Sequence, residues 1–213
     1  MQIRVRDDSV EIEGYVNAVE RNSKPLLSRI GQFIERVCKG AFSKALQRND
    51  DVKLLLNHNP ERVLGSTKQG NLELNEDSIG LHARAVIRDQ DVVQKARNGD
   101  LVGWSFGFYD TPDGVEQGID EESKLPLRKL RDMDLSEVSI LDRTKIPAYD
   151  GTLVAVRSDD KAMYFSEPMM EQATVETMEL RESEQPKQHE NVEEKRVDYS
   201  QYEKMIEDMR REK

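Results

Sequence analysis

The chain predicts a mainly β fold with a few short helices, an α+β class, on three observations. Short runs of strand character recur along residues 1–157, turn residues separate them, and only two stretches there carry helical spacing. Many short strands with few helices make a barrel or a sandwich decorated by helices. At 213 residues the length suits one ordinary domain with an appendage, or two small domains.

The elements follow in order. Residues 10–16 alternate, and so do residues 79–87, where Ile79, Leu81, Ala83, Ala85 and Ile87 share one face. Further strands are expected at 52–57, 70–74, 101–109, 128–133, 137–141 and 153–156, and helices at 41–48 and 90–98, the second stopped by Gly99. Within 101–109, Val102, Trp104, Phe106 and Phe108 share one face. Gly103, Ser105 and Gly107 share the other, which has almost no side-chain volume. Such a face allows a close backbone approach in a packed sheet, or leaves a hydroxyl open to a substrate strand.

The character changes after residue 157. Residues 158–213 carry 16 acidic and 9 basic side chains and no glycine, and form an acidic tail distinct from the body at 1–157. Ser200 and Glu203 have capping-box spacing before the stripe Tyr202, Met205, Ile206 and Met209, which predicts a short helix. Met170, Ala173, Thr177 and Leu180 make a weaker helical stripe, and 182–194 reads as a polar linker.

The net charge of −10 and the absence of a basic cluster argue against binding nucleic acid through its phosphates. The lone cysteine, Cys38, excludes an intrachain disulfide framework, and no Cys-rich metal site is present. No apolar run reaches membrane-spanning length and the first residues lack the apolar core of a signal peptide, so a cytoplasmic protein is expected.

The three histidines limit general-base chemistry. His189 lies in the polar tail, and His82 alternates beside Arg84 opposite the apolar set. His58 ends the core-strand signal at 52–57 and precedes Asn59-Pro60, read as a turn. A serine hydroxyl becomes a useful nucleophile when an imidazole accepts its proton and a carboxylate holds the resulting imidazolium. Asp132, Asp134, Glu137 and Asp142 are all candidates for that carboxylate, and Ser139, on the same face as Glu137, is a second hydroxyl.

Four segments carry a resemblance: the run from Asn57-His58 to Gly65, Ser105-Phe106-Gly107-Phe108, Leu135-Ser136-Glu137-Val138-Ser139, and Ile146-Pro147-Ala148-Tyr149. With Gly40-Ala41-Phe42 ahead of them, they resemble in order and spacing the phage prohead (capsid maturation) serine proteases of the lambdoid type. Two places depart from that pattern: Lys39 stands where relatives usually have proline, and Leu141 to Lys145 replaces a more apolar stretch.

The resemblance implies an assemblin-like β-barrel surrounded by short helices. It implies Ser105 as nucleophile, His58 as general base and Glu137 as the acidic third member, on a face left open by Gly103 and Gly107. Oxyanion donors stay open between backbone N–H groups and an arginine such as Arg143. The implied reaction is endoproteolysis of the major capsid protein's scaffolding segment or a separate scaffold protein, and of the protease itself, inside the immature head in the bacterial cytoplasm. No cofactor or metal is implied, and a weak homodimer follows by analogy. The alternative is a non-catalytic, protease-like scaffold protein of the phage head.

Overall fold

The computed structural model describes residues 1–28, 31–145, 156–158, 161–165, 169–170 and 174–177. In chain order the elements are β1 (Gln2–Val5), β2 (Val10–Ala18), β3 (Leu26–Ser28), β4 (Gly31–Val37), α1 (Ala41–Arg48), β5 (Lys53–Leu56), β6 (Asn59–Ser66), β7 (Leu72–Glu76) and β8 (Gly80–Ile87). They continue with α2 (Gln90–Arg97), β9 (Leu101–Asp110), β10 (Val115–Ile119), β11 (Pro126–Leu130), β12 (Met133–Asp142), a single 3-10 turn (Arg143–Lys145), β13 (Val156–Ser158), β14 (Lys161–Phe165), β15 (Met169–Met170) and β16 (Thr174–Thr177).

Three sheets result. One runs β16-β1-β2-β8-β7, a second β10-β11-β4-β3, and the largest β13-β14-β9-β12-β5-β6 with β15 also on β9. The fold is therefore mainly β with few helices, and among the described residues no sheet closes into a barrel. One apolar cluster links the elements: Ile3, Ile12 and Leu81 from the first sheet, Leu130 from the second, and Leu54, Trp104, Phe106, Phe108, Met133 and Val138 from the third, with Phe42 of α1.

The helices end where their sequences direct. Asp89 caps α2 by accepting the Val92 N–H at 3.1 Å, and Gly99, at φ 70°, supplies the left-handed residue that stops it. At α1 the start is held from outside: the Glu76 carboxylate of β7 accepts the N–H groups of Gly40 (2.6 Å) and Ser43 (2.7 Å). Gly40 sits at φ 87°, open to glycine at little steric cost. Phe42 then meets Phe106 edge to face at 5.1 Å, so the Gly40-Ala41-Phe42 motif braces the strand that carries Ser105.

Several expectations are corrected. The strand expected over 128–133 is two strands, β11 ending at Leu130 and β12 beginning at Met133, because the Arg131 and Asp132 N–H groups turn away to the Gly114 carbonyl. Met170 and Thr177, read as part of a helical stripe, lie in strands: the β-branched run Thr174–Thr177 pairs in parallel with β1. The sequence pattern does not mark strands β1, β3, β4, β6, β10 and β14, the last lying in the stretch expected to be tail. The stripe at 202–209, His189 and Ile146-Pro147-Ala148-Tyr149 lie outside the described residues.

Candidate active site

The largest sheet assembles the candidate residues through three adjacent strands, β9, β12 and β5. Ser105 of β9 pairs with Ser139 of β12, and Ser139 pairs on its other side with Leu55 of β5. Residues opposite one another in a ladder point to the same face. Ser105, Ser139 and Glu137 therefore share the face opposite the aromatic core, and Glu137 has Gly107 as its β9 neighbour.

A bulge puts Glu137 there. Met133 and Leu135 face the core, so strict alternation would send residue 137 to the core as well. The β9–β12 register shifts between Leu135 and Glu137, leaving Ser136 as the extra residue. Beyond it Val138 and Ile140 are the core residues, and Glu137 and Ser139 turn to the other side. Bulges re-aim side chains in this way next to functional sites. The uneven apolar spacing 135, 138, 140 is the sequence signal for it.

His58 comes from the end of β5, but not from the position expected. The turn is not at Asn59-Pro60. Leu56 pairs with Asn59, so Asn57 and His58 are themselves the two central residues of the β5–β6 hairpin, each at φ 57°. Positive φ at both positions is the type I′ arrangement, whose twist suits a two-residue connection. Asparagine tolerates this region better than most residues, whereas histidine bears a cost on the order of 1 kcal/mol.

The turn is tied down to β12. The Asn57 N–H donates to the Ile140 carbonyl at 2.9 Å, and the Asp142 N–H donates to Asn57 Oδ1 at 3.0 Å. The His58 N–H donates to Ser139 Oγ at 3.1 Å. His58 Nδ1 lies 2.6 Å from Glu137 Oε1, and Ser139 Oγ donates to Glu137 Oε2 at 2.6 Å. Glu137 is 2% exposed, a depth at which a carboxylate requires such partners.

The other carboxylates considered go elsewhere. Asp132 forms a two-pronged pair with Arg48 at 2.7 and 2.8 Å, and Asp134 is exposed. Asp142 is buried, which raises its pKa, but the Thr144 hydroxyl and N–H, Asn57 and Lys95 outweigh burial and hold it below the ordinary carboxylate value. Its charge is thus absorbed locally, with Lys95 Nζ at 3.4 Å. Arg143 donates to the Gly99 carbonyl and lies 3.6 Å from Asp100. His82 rests on Glu13 at 3.4 Å in the first sheet.

The face around Ser105 is not open. Gly103, Ser105 and Gly107 are all buried, Ser105 at 0% exposure. The free edge of β9 is filled on both sides of Ser105 by later parts of the same chain: Phe165 and Tyr164 pair with Gly107 and Phe108, and Met169 and Met170 with Trp104 and Gly103. These strands extend the sheet in its own plane beside Ser105 and do not lie across the Gly103, Ser105 and Gly107 face.

Among the described residues no group of three or more His, Cys, Asp or Glu side chains could hold a metal ion, and no helix is long and apolar enough to cross a membrane. The arrangement offers proton transfer: an imidazole oriented by a buried carboxylate, in one sheet with two serine hydroxyls. Comparison with protein families gives a match of residues 1–166 to the family described as caudovirus prohead serine protease. Neither the curated proteins nor the solved structures contain a match.

Proposed function

The chain belongs to the caudovirus prohead serine proteases, and from that premise we propose that Ser105 is its nucleophile, His58 its general base and Glu137 the carboxylate that orients the base. The protein is a bacteriophage serine protease of capsid maturation, associated with capsid proteins in the prohead. The observation that carries the residue assignment is the 2.6 Å contact between His58 Nδ1 and Glu137 Oε1, on a turn fastened to the strand beside Ser105.

With Glu137 ionised, His58 carries its proton on Nδ1 and keeps Nε2 as the acceptor. Nε2 takes the Ser105 proton as the oxygen attacks the scissile carbonyl. The imidazolium, held by Glu137, then returns the proton to the departing amine. Water hydrolyses the acyl-enzyme by the same relay in reverse order.

The substrates in this reading are the scaffolding segment of the major capsid protein or a separate scaffold protein, and the protease itself, inside the immature head in the bacterial cytoplasm. The acidic tail beyond β16 acts as a docking or packaging element, β14, β15 and β16 being strands of the body's sheets, and the protease works as a weak homodimer. An assemblin-like barrel belongs to the same reading, supported by three sheets sharing one apolar cluster.

Intact mass of the wild type and of Ser105→Ala, each alone and with the major capsid protein, tests the proposal. Fragments from the wild type alone support it and map the cleavage sites. Fragments from both would remove Ser105 from the nucleophile's place, and whole proteins from both would favour a scaffold role.

A further inference from the structure

Ser139 closes a ring of hydrogen bonds that begins and ends on His58. The imidazole meets one oxygen of Glu137 (2.6 Å), the Ser139 hydroxyl meets the other (2.6 Å), and the same hydroxyl oxygen accepts the His58 N–H (3.1 Å). The proton directions within this ring are fixed by chemistry. A backbone N–H can only donate and an ionised carboxylate can only accept, so the Ser139 proton must point at Glu137 and its lone pairs at His58.

We propose that Ser139 is a positioning residue of the protease, setting the Glu137 carboxylate and the His58 turn together so that the imidazole is held toward Ser105. The inference rests on the assignment of Ser105, His58 and Glu137 made above. Three features of the site make the role specific to this position.

First, the terminal torsion of a glutamate is broad, and one contact at Oε1 would leave the carboxylate plane loosely set. A second contact at Oε2, from a side chain at 0% exposure, fixes it. Second, His58 occupies a strained backbone region at φ 57°, which persists only where surrounding contacts over-determine it. The hydroxyl of Ser139 supplies one of those contacts.

Third, β12 lies between β5 and β9, and Ser139 is the β12 residue paired with both Ser105 and Leu55. An imidazole on the β5–β6 turn has to reach across this position to approach Ser105. A small side chain with a hydroxyl permits the crossing and supplies the tie.

The same contacts argue against Ser139 as the attacking oxygen. Its proton is committed to a carboxylate that the imidazole also uses, and its lone pairs to a backbone N–H.

The test uses the full chain and a quenched-fluorescence peptide spanning the cleavage site mapped by mass. Ser139→Ala is expected to lower kcat about 10- to 100-fold through misplacement of the base, with KM changed by less than about twofold. Ser139→Thr, which keeps the hydroxyl, is expected to recover kcat to within about fivefold of wild type. In proton NMR the downfield His58 Nδ1–H signal should be retained in wild type and Ser139→Thr and lost or shifted in Ser139→Ala.

Unchanged kcat and an unchanged Nδ1–H signal in Ser139→Ala, with Ser105→Ala inactive, would overturn the positioning role and leave the nucleophile assignment standing. An active Ser105→Ala beside an inactive Ser139→Ala would overturn both. If Ser139→Ala fails to fold, or if no cleavage site is found, hydrogen exchange of the His58 amide in the wild type still decides. Slow exchange is expected for a group donated to a buried hydroxyl, and exchange as fast as that of an exposed turn would refute the tie.

Discussion

Two buried strand carboxylates in this protein are held in opposite ways. Glu137 on β12 is 2% exposed and meets a partner at each oxygen, His58 and Ser139. Glu35 on β4 is 6% exposed, and its partner Arg128 stands at 3.8 Å while engaging Asp110 at 2.7 Å. Among the described residues Glu35 Oε2 has no hydrogen-bond partner. Burial therefore pushes Glu35 up to about 7, partly offset by Arg128 and reinforced by Asp110. The contrast teaches that burial alone does not orient a carboxylate. What distinguishes Glu137 is a pair of short contacts, one at each oxygen, that fixes the direction of its carboxylate.

The largest effect that separates the two is on turnover. Glu137→Gln is expected to lower kcat by about 10⁴, since an amide favours the wrong imidazole tautomer, while Glu35→Gln changes it less than about threefold. Cleavage of the mapped-site peptide measures both. Equal losses would erase the distinction.

Next in size, Arg128→Met leaves Glu35 and Asp110 without their shared cation and should destabilise the fold by about 3–5 kcal/mol at pH 8. The loss should be smaller at pH 5, where Glu35 takes up a proton. Urea unfolding at the two pH values checks this, and a pH-independent loss would mean that packing against Phe33 and Tyr164, 5.7 and 4.5 Å from the guanidinium, accounts for it.

The third effect follows from Glu35 itself. Its folded pKa, about 7, lies above the ordinary 4.5, so the folded state binds the proton more tightly than the unfolded chain. Its contribution to stability is fully present below pH 4.5 and is lost as pH rises through 7, on the order of 3 kcal/mol across the window. Wild type should lose stability relative to Glu35→Gln over that interval. Parallel curves for the two proteins would show that Glu35 is not titrating there.

Smallest is Asp132→Asn. Its pair with Arg48 is largely solvated, with Arg48 48% exposed, and such pairs contribute about 0–1 kcal/mol. A change in turnover on this substitution would return Asp132 to the candidates for the acidic member.

Much of this was legible in the chain. The alternation of Leu81, Ala83, Ala85 and Ile87, the alternating face of Trp104, Phe106 and Phe108, and the helix at 41–48 follow from spacing, because each buries one face and leaves a clear period, whereas Ile79, expected on the same face, precedes β8 and is exposed. Ser105, His58 and Glu137 could be named from the resemblance. Their assembly was not legible from spacing alone, since it depends on two departures from regular geometry. The bulge at Ser136 reverses the face that simple alternation would assign to Glu137, and the turn at Asn57-His58 sits two positions before the Asn-Pro pair that advertises one. The filling of the β9 edge on either side of Ser105 was hidden for a different reason: β14 and β15 are far along the chain, and which edge a short strand takes is a tertiary choice.

The bulge at Ser136 makes the site sensitive to counting. Removing that one residue would keep every side chain assigned to chemistry and would allow β12 a more regular ladder with β9. Yet its two halves would then share a single parity: either Met133 and Leu135 leave the core, or Glu137 and Ser139 enter it. Many replacements at 136 should pass unnoticed where a deletion cannot, so this stretch of the gene should accept spelling changes and resist changes of length.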